Sequence, residues 1–125
     1  MTIPKLIYQY RGPRNNPGYI FSSEEDDAKQ KSESMLFIYS DDFECILPIV
    51  KAQYPLIDPR TGEQYDAFDP CWDNPISAAT WTNILEELDH CIPENADQRT
   101  FVDQFTAWIR SKLAHTDTII IEGTL

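Results

Sequence analysis

Two amphipathic stripes in tandem constrain this chain more than any other feature. Trp81, Ile84, Leu85 and Leu88 recur at helical spacing, leaving Asn83, Glu86, Glu87 and His90 on the other side. Pro93 intervenes. Phe101, Val102, Phe105, Trp108, Ile109 and Leu113 then form a second, wider stripe. Ser77 is placed to cap the first helix, with Ile76 and Trp81 as a hydrophobic staple around the cap. Asn95, with Gln98 three residues on, caps the second. The spacing predicts helices over 77–91 and 96–114. Their short link predicts an antiparallel pair, or two helices side by side on a sheet, because each stripe must find an apolar partner. Trp81 and Trp108 are expected in the core.

A mixed sheet is expected to contain the segments near 3–10, 35–39, 55–66 and 118–122. Residues 3–10, IPKLIYQY, are rich in β-branched and aromatic side chains and stop at Gly12-Pro13. After the turn residues 15–18, Gly18 to Phe21 suit a short returning strand. The apolar runs at 35–39, MLFIY, and 118–122, TIIIE, read as strands covered on both faces. Pro59-Arg60-Thr61-Gly62 is the strongest hairpin signal, joining 55–58 to 63–66, with Pro55 pointing to an edge. Residues 22–34 contain only one apolar side chain, Ala28. Ser23 before Glu24-Glu25-Asp26-Asp27 suits a helix start, so the segment reads as an exposed helix or a mobile loop. Asp41-Asp42-Phe43-Glu44 resembles a capping box. Pro48 follows, so 41–52 is expected as an interrupted or short helix. Residues 67–76 read as a proline-punctuated loop. The sum is a single α+β domain over 1–125, a mixed sheet with two helices on one face. An α/β arrangement stays open because 35–39 and 118–121 both look doubly covered.

Charge is distributed unevenly. Residues 41–97 hold thirteen carboxylates against Lys51 and Arg60, a local sum of −11 that equals the formal charge of the whole chain. Such a block repels phosphates and anionic membranes, so direct nucleic-acid or membrane binding is not expected, and a basic protein is the natural partner. The opening MTIPKLIYQYRGP has no long apolar run or cleavage site. No stretch approaches the roughly 18–20 apolar residues of a membrane helix. Three widely spaced cysteines do not make a disulfide framework. A cytoplasmic domain with reduced thiols, monomeric rather than homo-oligomeric, is the expectation.

Asp66, Asp69 and Asp73 could hold a hard cation, but their spacing lacks the glycine and closing glutamate of a calcium loop. Cys45, Cys71, His90 and Cys91 lack a Cys-x-x-Cys pair for zinc, and Cys45 and Cys91 read as small buried side chains. No glycine-rich loop accompanies a Cys–His nucleophile, and His115 suits a helix end. No catalytic residue, metal site or cofactor is expected. Trp72, ringed by carboxylates in the 67–76 loop, has the composition of a binding hot spot or of a lid on the core.

Phe68-Asp69-Pro70-Cys71-Trp72-Asp73-Asn74 leading to Trp81, together with Asp117 to Gly123, resembles the immunity proteins of bacterial polymorphic and contact-dependent growth-inhibition toxin systems. That resemblance implies a protein that binds and neutralises a cognate toxin domain, often a basic nuclease, by occluding its active site, with no catalysis of its own. The partner surface is expected to comprise Asp66, Asp69, Trp72, Asp73, Asn83, Glu86 and Glu87. Two other readings share the charge block: an acidic nucleic-acid mimic that inhibits DNA-binding proteins, and a carboxylate-metal hydrolase.

Overall fold

A computed structural model describes residues 3–13, 15–23 and 34–125. It is an α+β domain. Its main sheet holds β1 (Gly18–Ser23), β2 (Leu36–Tyr39), β5 (Asp73–Ser77) and β6 (Thr118–Gly123) in the order β2-β1-β6-β5. Every ladder in it is antiparallel, and among the described residues parallel pairing is confined to one bridge, Lys5 to Phe37. A separate two-stranded hairpin holds β3 (Leu56–Ile57) and β4 (Gln64–Tyr65). Of the segment 22–34, expected as an exposed helix or a mobile loop, residues 24–33 lie outside the described residues, and Ser23, the expected cap, ends β1.

Helices α3 (Ala78–His90) and α4 (Ala96–Leu113) start where the caps predict. The Ser77 hydroxyl accepts from the Thr80 amide at 3.3 Å. Asn95 Oδ1 accepts from the Gln98 amide at 2.8 Å, and Gln98 Oε1 accepts the Glu94 amide in return, also at 2.8 Å. Between β2 and the hairpin, α1 (Ser40–Phe43) and α2 (Leu47–Lys51) form the interrupted helix. Pro48 falls in the first turn of α2, where its missing N–H would have had no intrahelical acceptor.

The core lies between one sheet face and the helices. Strand alternation puts Tyr19, Phe21, Ile38, Ile76, Ile119 and Ile121 on this face, all buried. Phe21 meets Phe43, Trp81 and Phe105 with ring centroids 5.4, 6.4 and 5.5 Å away. The Trp81 indole donates to the Ile119 carbonyl at 3.2 Å, so the helix is tied to the sheet as well as packed on it. Each such fully buried side chain contributes roughly 1.5–3 kcal/mol. On the opposite face Ile20, Phe37 and Ile120 are half-buried.

Four expectations are corrected. Residues 3–10 do not form a ladder strand; they run beside β2 with two backbone bonds at Phe37. Hairpin 55–66 forms as predicted around Gly62, whose φ is +79°, but stands apart from the main sheet. The edge strand is instead β5, inside the expected loop. There Pro75 faces the open edge, because the neighbouring bonds to β6 run through Trp72, Asn74 and Ile76, so its lack of an N–H leaves no ladder bond unmade. Trp108 is only half-buried: it touches Phe21 at 6.3 Å, and the Lys112 ammonium lies 5.4 Å from its ring.

Candidate partner-binding surface

Asn74 builds the loop that precedes β5. Its side chain is 2 % exposed. Asn74 Oδ1 accepts the Asp69 amide at 2.8 Å and the Tyr54 hydroxyl at 3.4 Å. Its Nδ2 donates to the carbonyls of Asp69, Trp72 and Ile121 at 2.8, 3.1 and 3.1 Å. One buried amide thus closes a whole turn onto β6. The Asp69 carboxylate adds a bond to the Cys71 amide at 2.9 Å. Phe68 is buried below, edge-on to Tyr19 and Tyr54 at 5.6 and 6.1 Å. Burial pushes the Tyr54 phenol well above its ordinary range, so it remains a neutral donor.

The chain end holds the loop from the other side. Gly123 donates to the Trp72 carbonyl at 2.9 Å, and Leu125 to the Pro70 carbonyl at 3.2 Å. A Cβ at Gly123 would sit 2.0 Å from the Pro70 oxygen, so only glycine admits this approach. On this braced loop Trp72 is 69 % exposed. It is not a lid on the core.

The seven sequence-expected residues are all exposed, but they do not share one face. Asp66 leaves the hairpin, accepting from Gln64 at 2.8 Å, just before the braced turn that carries Asp69 and Trp72. Glu87 connects to this region through the Gln53-Tyr54 pair: Gln53 Nε2 donates to Glu87 Oε2 at 3.2 Å while Tyr54 reaches Asn74. Asn83 lies one turn back on the same exposed side of α3. Glu86 instead lines a groove with Thr82, Leu85, Arg110 and Leu113. Asp73 alternates with buried Asn74 and Ile76, so it projects from the sheet face away from the helices. There it stands directly opposite Glu122, also exposed. Like charges opposite one another destabilise a ladder. Glu122 was not legible as part of any acidic surface before the register was known.

Two carboxylates of the acidic block point inward. Asp42, 2 % exposed, accepts the amides of Tyr8 and Gln9 at 2.9 and 2.8 Å. The capping box expected at 41–44 does not form: Tyr39 stands at the N-cap of α1, which has no side-chain cap bond. Asp58, 1 % exposed, takes a bidentate contact from Arg60 at 3.1 and 3.0 Å plus the Arg60 amide at 2.8 Å. Hydrogen bonding from the Arg60 side chain holds this carboxyl below its ordinary range, outweighing the opposing effect of burial.

Among the described residues no three His, Cys, Asp or Glu side chains converge as a metal site, Asp66, Asp69 and Asp73 included. The Cys45 thiol is pushed up to about 11 by burial, which leaves little thiolate at neutral pH. Of the two cysteines expected to be buried, Cys45 is partly so, while Cys91 is exposed at the C-cap of α3. His90 bonds through Nδ1 to the Glu86 carbonyl one turn back, at 2.7 Å. No helix among the described residues is long and apolar enough to cross a membrane. Set against family models, curated proteins and solved structures, the chain matches none.

Proposed function

We propose that this chain is an immunity protein that acts in the cytoplasm, binding a basic toxin domain and covering its active site without catalysis of its own. The observation that carries the reading is the braced loop: a 69 % exposed Trp72 held by Asn74 on a scaffold whose neighbouring carboxylates Asp66, Asp69 and Glu87 face solvent. An aromatic anchor with few conformations to lose, surrounded by one sign of charge, suits tight docking to a surface of the opposite sign. The charge supplies encounter rate and the indole supplies residence time.

The test is titration calorimetry against the toxin domain encoded immediately upstream, at low and high salt. Saturable binding that weakens as salt rises, and that Trp72→Ala reduces by 30-fold or more, supports the reading. Absence of binding to that domain, or a neighbouring gene unrelated to secreted toxins, removes it.

A further inference from the structure

The outer edge of β2 is occupied by the chain's own N-terminal segment. The Phe37 amide donates to the Pro4 carbonyl at 2.8 Å, and the Leu6 amide donates to the Phe37 carbonyl at 3.0 Å. Two residues further on, the Asp42 carboxylate holds the consecutive amides of Tyr8 and Gln9, one on each oxygen. Lys5 adds a bond to the Tyr39 hydroxyl at 3.2 Å, and Tyr10 stacks on Tyr39 at 3.8 Å. Most of this segment is only partly covered: Ile7 is 51 % exposed, and Pro4, Lys5 and Gln9 face solvent. Only Leu6 and Tyr8 turn inward, packing on the rim of the core with the Tyr8 ring 5.6 Å from Phe101 and its hydroxyl accepting from Asn95 at 3.1 Å, so the attachment joins a narrow apolar contact to a few polar ones.

We propose that residues 4–9 are a strap that opens as a unit, independently of the core, with Asp42 as its latch. Opening bares the N–H and C=O of Phe37 on an apolar edge strand, a surface that pairs readily with other extended chain. The latch is chemically apt: an ionised carboxylate makes charge-assisted bonds to backbone amides, while an amide in its place offers one acceptor oxygen instead of two.

Native-state hydrogen exchange on the full chain tests this without a variant. The amides of Leu6, Tyr8, Gln9 and Phe37 should share one opening equilibrium, with little dependence on denaturant, well below that of Ile119, Ile120 and Ile121 in doubly paired β6. Asp42→Asn should then speed exchange at Leu6 and Phe37 by ten-fold or more and leave β6 unchanged. Those two amides are decisive, since neither bonds to Asp42. If only Tyr8 and Gln9 respond, the strap is not a unit and the proposal fails. It also fails if wild-type strap amides exchange only with the β6 amides, or if the variant accelerates both sets equally.

Discussion

Asp42 and Glu87 belong to the same acidic block and have the same chemistry, yet they do opposite things. Asp42 is buried and spends both oxygens on backbone amides of a distant segment. Glu87 stands on an exposed helix face, touched by one glutamine. Asp58 falls with the first and exposed Asp66 with the second. A count of charges along a chain therefore mixes carboxylates that hold the fold together with carboxylates offered to a partner. Burial and hydrogen-bond geometry separate them. The two tryptophans nearest the loop repeat the contrast: Trp81 is fully buried and Trp72 is 69 % exposed.

The largest expected effect separates the indoles. Trp81→Ala should lower the unfolding free energy by about 3–5 kcal/mol, the range for deleting a large aromatic from a packed core. Trp72→Ala should change it by under about 0.5 kcal/mol. Urea denaturation of both variants measures this, and equal losses would erase the distinction between anchor and core. In binding the order should reverse, with Trp72→Ala costing about 2 kcal/mol or more against the toxin domain. Trp108→Ala should fall between the two in stability, because that ring packs against the core but is only partly buried, with the Lys112 ammonium 5.4 Å away.

Next come the carboxylates. Asp42→Ala leaves two part-buried amides without their acceptor and should cost about 1–3 kcal/mol, whereas Glu87→Ala should be within about 0.5 kcal/mol. Asp58 is best examined through pH. Its carboxyl titrates below the unfolded value, so its contribution is complete above the ordinary carboxylate range and disappears as pH falls through the lowered folded value. Wild type and Asp58→Asn should differ by a constant amount near neutrality. Their urea midpoints should approach each other only below about pH 4. The smallest effect on stability belongs to charge reversal at Asp66 and Glu87, expected within about 0.5 kcal/mol each. Stopped-flow association with the toxin domain should nonetheless slow and lose part of its salt dependence. An unchanged rate would place the docking face elsewhere.

Much of the helical layer was legible. Ser77 and Asn95 sit where a capping side chain has a local amide to accept, and their stripes need only the helical period to be read. Pro59 and Gly62 gave away the hairpin for the same reason, since a tight turn is a contact between near neighbours. β5 was not legible. Asn74 and Pro75 are turn residues in isolation, and they occupy a strand because β6 pairs on one side while the open edge tolerates a proline. The candidate surface divided in the same way. Trp72 stood out as an indole off any apolar stripe, whereas the facing of Asp73 toward Glu122 and of Glu86 toward α4 depended on register and helix packing.

What the sequence alone determined is the set of interactions that close within a few residues: caps, helical stripes, the tight turn, and the density of charge between 41 and 97. Tertiary structure decided which strands meet, which end of the chain covers β2, and which carboxylates turn inward. The physical reason is range. A cap or a turn is chosen by neighbours a few bonds away, but Asp42 finds Tyr8 and Gln9, and Asn74 finds Ile121, only after the chain has folded back on itself. A carboxylate's role is set by whichever donors arrive beside it.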